Sequence, residues 1–359
     1  MLLDGIFAAI TTPFHADGRL YLHKLEENVE HYSRTPLSGL TVLGSTGEAP
    51  MLSDEETRDV LRHARNSASD DKVLIAGIGR ESLVETLRLA EFAADHDYDA
   101  VLVRTPHYYT PQYASSNGER EDSLGLLTYY RTLADRSPLP VILYSIPKYT
   151  HYDLSPALVG ELAQHPNILG IKDSSGSVER IEQLVAATAN APKREVTVTT
   201  TFEAMTGRMQ QVPPPATDNL ISADMLTVLP TFTPEAAIPA RPSRKKTIGF
   251  QVLSGASDQI LPSLQAGASG SILGLAACAP QACLEVQMAW KDRDPALAAL
   301  KQERLVAATK YVVGKLGIPA IKHACDLNGF YGGVPRLPLL PLDAETKAKV
   351  ADAMRDLRN

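Results

Sequence analysis

Short apolar runs closed by polar turns alternate along this chain with segments whose apolar residues recur every three or four positions. Ile6 to Ile10 is the first run and ends in Thr11-Thr12-Pro13. Leu25, Val29 and Tyr32 follow with helical spacing. Gly39 to Leu43 reads as a second strand, ending in Gly44-Ser45-Thr46-Gly47-Glu48, and Val73 to Ile78 as a third. Ala100 to Val103 is the fourth and ends in Thr105-Pro106-His107-Tyr108-Tyr109; Val141 to Tyr144 is the fifth and ends in Ser145-Ile146-Pro147. The sixth, Ile168-Leu169-Gly170-Ile171, closes on Lys172 and the turn Asp173-Ser174-Ser175-Gly176. Ser53 with Glu56 and Ser82 with Glu85 have capping-box spacing, and Ser155-Pro156 opens a further helix. Val178 to Ala189 is helical after the sixth strand. Runs apolar at every position fit strands covered on both faces, as in a parallel sheet with crossover helices. Six such repeats point to a (β/α)8 barrel or a doubly wound sheet.

The rhythm breaks between about residues 191 and 247. Val212-Pro213-Pro214-Pro215, further prolines and the basic run Arg241 to Lys246 disfavour regular structure, although Leu220 to Leu229 has the pattern of a short helix. Phe250 to Leu253 and Ser271 to Leu275 then read as the seventh and eighth strands. The Pro-rich insertion therefore falls between a helix and the next strand, on the face of a barrel opposite its active site, where it bears on stability or assembly. Helices from Gln281, Ala296, Ile318 and Asp343 are too many for one crossover. The predicted organisation is a barrel over 1–290, interrupted at about 191–247, and a C-terminal helical region over 291–359.

Composition narrows the partners. Hydrophobic residues make up 44% and charged residues 21% of 359, an ordinary globular balance. A formal net charge of −7 argues against nucleic acid or an anionic membrane as partner. Cys278, Cys283 and Cys325 are too few for a disulfide framework and read as small buried residues. Met1-Leu2-Leu3-Asp4-Gly5 lacks the basic start of a signal peptide, and no apolar run reaches the ~18 residues of a membrane span. A soluble cytoplasmic protein is expected. The nine histidines show no HxH or HExxH spacing, so no metal site is predicted, and His107 reads as structural. Gly77-Ile78-Gly79 is not completed to GxGxxG and reads as a turn rather than a nicotinamide site.

The polar residues gather after the strands, where either fold keeps its chemistry. A strand-end lysine such as Lys172 ordinarily has a solvated head. Tyr144, however, closes the preceding strand, and neighbouring strands lie about 4.8 Å apart. A phenol beside an amine suits Schiff-base chemistry: the neutral amine attacks a ketone and the phenol moves the protons. Tyr108, at the end of the fourth strand, could extend the relay; each tyrosine by itself also fits a core aromatic with one hydrogen bond. Gly44-Ser45-Thr46-Gly47-Glu48 offers hydroxyls and backbone N–H groups to an anion such as a carboxylate, and is equally a plain βα turn.

Taken together these motifs resemble the dihydrodipicolinate synthase/N-acetylneuraminate lyase family of pyruvate-dependent class I aldolases. Gly44 to Glu48 matches its G-[ST]-T-G-E, Thr105 to Tyr108 its T-P-x-Y, Tyr144 to Pro147 its Y-[NS]-[IV]-P, and Gly170 to Gly176 its G-x-K-[DE]-[SA]-[ST]-G. Gly332-Gly333-Val334-Pro335-Arg336-Leu337-Pro338 is similar to the family's tail, so the likeness runs from about Gly5 to Leu342 apart from the insertion. The resemblance implies an α/β fold, a (β/α)8 TIM barrel with a C-terminal helical extension. It implies that Lys172 forms the Schiff base with pyruvate, that Tyr144 moves the proton, and that Ser45 and Thr46 hold the pyruvate carboxylate. It further implies that Thr46 links Tyr144 to Tyr108, that Tyr108 crosses from a neighbouring subunit of a homodimer or homotetramer, and that the backbone near Ile272 lines the pocket. No cofactor is implied; the substrates are pyruvate and an aldehyde. The synthase subgroup carries an arginine two residues past the proline of its Y-N-x-P motif; Tyr149 stands there, beside Lys148. With His165-Pro166-Asn167-Ile168, this is closer to 4-hydroxy-2-oxoglutarate aldolase-like members than to the 4-hydroxy-tetrahydrodipicolinate synthase of lysine biosynthesis. A non-catalytic, pyruvate-binding regulator or scaffold is the alternative of another class, with Arg241, Arg244, Lys245 and Lys246 as its partner-facing feature.

Overall fold

The computed structural model describes residues 1–109, 124–199 and 243–357. Strands β1 (Gly5–Ala9), β2 (Gly39–Val42), β3 (Val73–Gly77), β4 (Ala100–Arg104), β5 (Val141–Ser145) and β6 (Ile168–Asp173) pair side by side and parallel. Two more strands, β7 (Arg194–Thr199) and β8 (Ser243–Ile248), form a separate antiparallel ribbon. The parallel sheet then continues through β9 (Gln251–Ser254) and β10 (Gly270–Leu273). Because β10 pairs with β1, from Gly5↔Gly270 to Ala8↔Leu273, the sheet closes on itself. This is the (β/α)8 barrel, not the doubly wound sheet.

Helices α1 (Leu22–Ser33), α2 (Asp54–Ser67), α3 (Leu83–Ala94), α4 (Leu124–Arg136), α5 (Pro156–Leu162), α6 (Val178–Ala187), α7 (Ile260–Gln265) and α8 (Pro280–Lys291) accompany the strands. After them come α9 (Pro295–Ala308), a π-helical stretch Thr309–Leu316, α10 (Ile318–Leu327) and α11 (Ala344–Ala353). Strand side chains divide by parity, as the pleat requires. Phe7, Ala9, Ile75, Leu102, Ile142, Leu253 and Ile272 fill the barrel interior. Ile6, Ala8, Val101, Val103, Leu143, Ile171 and Val252 face outward into the layer under the helices. Each such Val, Leu, Ile or Phe contributes about 1.5–3 kcal/mol by burial, so the barrel is a packed core rather than a channel.

One irregularity decides which way β6 presents its lysine. Val141 pairs with Ile168, but Ile142 pairs with Gly170, so β6 carries an extra residue, Leu169, at this point. Ile168 faces outward with Val141. Simple alternation from there would turn Lys172 outward as well. The bulge shifts the phase by one residue, so that Lys172 lies level with Tyr144 on the inner face. Gly170 sits at the bulge against β9: a Cβ there would come within 2.2 Å of the Gln251 carbonyl oxygen, so no other residue fits.

Two local expectations are resolved by the hydrogen bonds. The Ser53 box forms: its hydroxyl accepts from Glu56 N at 3.1 Å and its own N–H donates to Glu56 Oε2 at 3.0 Å. Ser155 caps α5 by accepting from Leu158 N. The Ser82 box does not form. There the Glu85 carboxylate pairs with Arg88 one turn on instead of reaching back to the Ser82 N–H. The insertion begins and ends in regular structure, which the proline content did not predict. β7 ends in a run of four β-branched residues, Val196 to Thr199, and makes six cross-strand pairs with β8. Val212 to Pro215, Leu220 to Leu229 and Arg241 lie outside the described residues. Within the ribbon Lys245 pairs with Glu195 at 2.9 Å while Lys246 is exposed. Arg194 donates to the carbonyls of Pro166 and Ile168, at the start of β6. The ribbon thus adjoins the barrel end opposite Lys172, as its place between α6 and β9 predicts.

None of the described helices is long and apolar enough to cross a membrane. The three cysteines are free and fully buried, and burial pushes their thiols up, that of Cys325 to about 12. Thiolates are the reactive form. Native protein at pH 8 should therefore give no signal with a disulfide exchange reagent, and all three thiols should titrate after denaturation. Rapid labelling of any one in the native protein would contradict this packing.

Candidate active site

The second strand ends in a turn that the chain goes to some length to hold. Ser45–Gly47 make one turn of 3-10 helix, and Glu48 follows in the left-handed region at φ 55°. That conformation is unfavourable for a non-glycine residue and needs outside support. Glu48 is buried, with Oε1 2.6 Å from Lys322 Nζ and Oε2 accepting from Arg336 N at 2.8 Å. Lys322, itself fully buried on α10, also donates to Thr12 O at 2.8 Å and Val334 O at 2.7 Å and lies 4.3 Å from the Phe14 ring centroid. The Thr12 hydroxyl donates to Gly47 O at 2.6 Å. Arg336 forks onto Glu56 at 2.6 and 2.7 Å and donates to the carbonyls of Gly18 and Met51. The Gly332-to-Pro338 tail is thereby the clamp on the Gly44-to-Glu48 turn. Burial holds the Lys322 pKa below the usual lysine value, against the opposing pull of Glu48. The sequence reading missed Lys322; its signal was a lone lysine amid Ile318, Ala320, Ile321, Ala324 and Cys325 on a helix.

Lys172 is as secluded and quite differently treated. It is 4% exposed, its Nζ lies 4.3 Å from the Tyr144 ring centroid, and among the described residues it has no ion pair and no hydrogen bond. A buried ammonium is ordinarily paired. The next residue, Asp173, is bound to Arg180 Nε at 2.6 Å and to the Ser175 N–H and hydroxyl, so it is not free to serve the lysine. Arg180, on α6, also donates to Ser145 and the Leu154 carbonyl, which ties the ends of β5 and β6 together. The Tyr144 hydroxyl lies 3.4 Å from Ser45 Oγ.

These groups open on a cavity of about 330 Å³. Ser45, Thr46, Tyr144, Tyr149 and Lys172 all line it, so five of the seven residues proposed from the sequence come together. Two do not. Ile272 is fully buried in the barrel interior, and the wall contributed by the end of β10 is Gly274. Tyr108 is 74% exposed, outside the cavity of its own chain. Glu81 fixes its loop by accepting from the His107 and Tyr108 N–H groups and pairing with Arg104 and His107, so His107 has a structural partner. The link from Tyr144 also differs from expectation: it runs to Ser45 rather than Thr46, because the 3-10 turn directs the first hydroxyl at the phenol. Tyr149 is half exposed, and burial first, then the Tyr144 phenol, raises its pKa. The lining also includes Lys148, Asp258, Lys310 and Val313, so the C-terminal helices complete the mouth.

Comparison with known proteins finds the same fold over nearly the whole chain. The model of the Dihydrodipicolinate synthetase family matches residues 2–194 and 241–357, passing over the insertion. A protein of Methanothrix thermoacetophila named 4-hydroxy-tetrahydrodipicolinate synthase is 30% identical over 353 residues, 98% of this chain and 96% of that one. A dihydrodipicolinate synthase of Acinetobacter baumannii, solved with pyruvate, is 26% identical with a TM-score of 0.74 over 99% of each chain. YagE, an E. coli K12 prophage protein of the dihydrodipicolinic acid synthase family also solved with pyruvate, is 25% identical with a TM-score of 0.74 over 99% of each chain.

The buried pair yields a stability test. Replacing Lys322 by Met leaves the Glu48 charge buried beside a methyl group, which should cost about 3–5 kcal/mol in urea unfolding. Adding Glu48→Gln removes that charge and should recover most of the loss. A single variant as stable as the parent would show that the pair does not hold the turn.

Proposed function

This chain belongs to the dihydrodipicolinate synthetase family, and on that premise we propose that it is a lyase, a class I aldolase that condenses pyruvate with an aldehyde or releases it. The reading rests on one observation above the others: a buried lysine with no counter-ion among the described residues, set against a phenol ring at the wall of a cavity. Stability gives no reason to keep an amine there, whereas imine chemistry does.

The steps follow from the groups present. The Lys172 amine attacks the keto carbon of pyruvate, and loss of water leaves a protonated imine. That cation draws electrons from C3, whose proton departs to leave an enamine. The enamine carbon bonds to the aldehyde carbon, and the new alkoxide takes a proton. Hydrolysis of the imine then returns the amine and the product; the reverse order is cleavage. Tyr144 is the proton carrier, with Ser45 as its partner at 3.4 Å, and the Ser45-Thr46 turn receives the pyruvate carboxylate. No step calls for a cofactor. Tyr108, exposed on its own chain, is assigned to the mouth of a second copy's cavity in a homo-oligomer.

Tyr149 in place of the synthase arginine favours an aldolase of the 4-hydroxy-2-oxoglutarate type, which yields pyruvate and glyoxylate. The name of the Methanothrix thermoacetophila relative supports a second reading, 4-hydroxy-tetrahydrodipicolinate synthase. A panel containing glyoxylate and an amino-acid semialdehyde, assayed in both directions, separates them by kcat/KM.

Borohydride added with pyruvate should leave a reduced adduct on the peptide carrying Lys172, and Lys172→Arg should abolish it while keeping the fold. Unmodified Lys172 in folded protein would sink the reading. Tyr144→Phe should lower turnover by about 10²–10⁴-fold with little change in stability. Mixing Lys172→Arg with Tyr108→Phe should restore part of the activity each lacks alone if Tyr108 crosses between copies; no recovery on mixing would confine it to its own chain.

A further inference from the structure

The cavity is larger than pyruvate needs and its charge is one-sided. At about 330 Å³ it is only partly filled by the six heavy atoms of pyruvate. Among the described residues the charged groups on its wall are Lys148, Lys172, Lys310 and one acid, Asp258. Once Lys172 is tied up in an uncharged enamine, two of these described cations face one described anion. Lys310 has no ion pair and no hydrogen bond among the described residues. Lys148 spends one of its three donors on Gly314 O at 3.0 Å and keeps two.

The two lysines arrive from elements far apart in sequence. Lys148 is on the helical turn Pro147–Thr150 that follows β5, two residues after the cavity residue Ile146. Lys310 is on the π-helical stretch Thr309–Leu316, whose Thr309, Val313 and Gly314 line the same cavity. The Lys148–Gly314 bond fastens these elements to each other, and both lysines line the one cavity. π-Helical turns recur at functional sites, where they displace a side chain from its α-helical position. Tyr149 supplies a wall but no cation.

We propose that Lys310, assisted by Lys148, is the acceptor-side anion site of this cavity, so that the aldehyde partner carries a carboxylate. The proposal rests on the assignment of Lys172 as the pyruvate nucleophile and adds the chemistry that selects the second substrate. The aldehyde carbon meets the enamine while its carboxylate reaches outward to the two ammonium groups. Both are charge-assisted donors, the stronger kind of hydrogen bond. Asp258 disfavours a second anionic group on the same side.

The test compares glyoxylate with glycolaldehyde, which differ by the carboxylate, at saturating pyruvate. Lys310→Met should lower the glyoxylate-to-glycolaldehyde ratio of kcat/KM by about tenfold or more, Lys148→Met by less, and Lys310→Arg should retain most of it. The KM for pyruvate and borohydride trapping at Lys172 should stay at parent values in all three. Added salt should weaken glyoxylate use in the parent and not in Lys310→Met. An unchanged ratio in Lys310→Met overturns the proposal. So does a parent that prefers glycolaldehyde and loses that preference in Asp258→Asn, which would mark a site for hydroxylated or cationic acceptors. Failure of trapping in the parent overturns the aldolase assignment and the subsite with it, and is read separately from the ratio.

Discussion

The pairing of β5 with β6 is the constraint on which the site depends. A parallel barrel leaves each strand residue only two directions, into the interior or out under the helices, and one residue of slip exchanges them. The extra residue at Leu169 makes that exchange part-way along β6, after Ile168 has packed outward and before Lys172 is reached. Gly170 lets β9 close over the bulge without a clash. The result is an amine level with Tyr144 in a packed interior. A β6 without the bulge would keep its apolar residues buried by repacking, but its lysine would lie among the helices.

Two buried lysines then show how context separates structure from chemistry. Lys322 has a carboxylate at 2.6 Å and two carbonyls, which is how a protein keeps a buried charge it needs for architecture. Lys172 has an aromatic face and a cavity. The first holds still the turn that presents Ser45 and Thr46; the second is exposed to whatever occupies the cavity. Because the clamp comes from α10 and the tail around Arg336, the C-terminal helices are part of the site and not an appendage to the barrel. The same holds for the π-helical stretch that brings Lys310 and Val313 to the mouth.

Sequence alone determined the barrel's rhythm and most of its site. Apolar runs at every position fit strands covered on both faces, with polar turns at their ends, so Tyr144 and Lys172 were legible as the ends of neighbouring strands, while Ser45, Thr46 and Tyr149 joined them through the family resemblance. The strand ends are consequences of burial and of chain direction, which are local in the chain. The Ser53 cap was legible for the same reason, and the Ser82 cap misled because Glu85 pairs with Arg88 instead. The ribbon at the insertion was readable in the β-branched run Val196 to Thr199 and was masked by the prolines beyond it.

What only the tertiary structure decided is everything that joins distant segments. The phase of Lys172 depends on a bulge that is defined by a partner strand, and no spacing within β6 reveals it. Lys322, from near the end of the chain, finds Glu48 just after the second strand, and Lys148 finds Gly314 in the π-helical stretch. Whether the Ser45 or the Thr46 hydroxyl meets Tyr144 is set by a single 3-10 turn and its left-handed exit at Glu48. A sequence specifies which groups are costly to bury; which partner offsets that cost is a matter of closure in three dimensions.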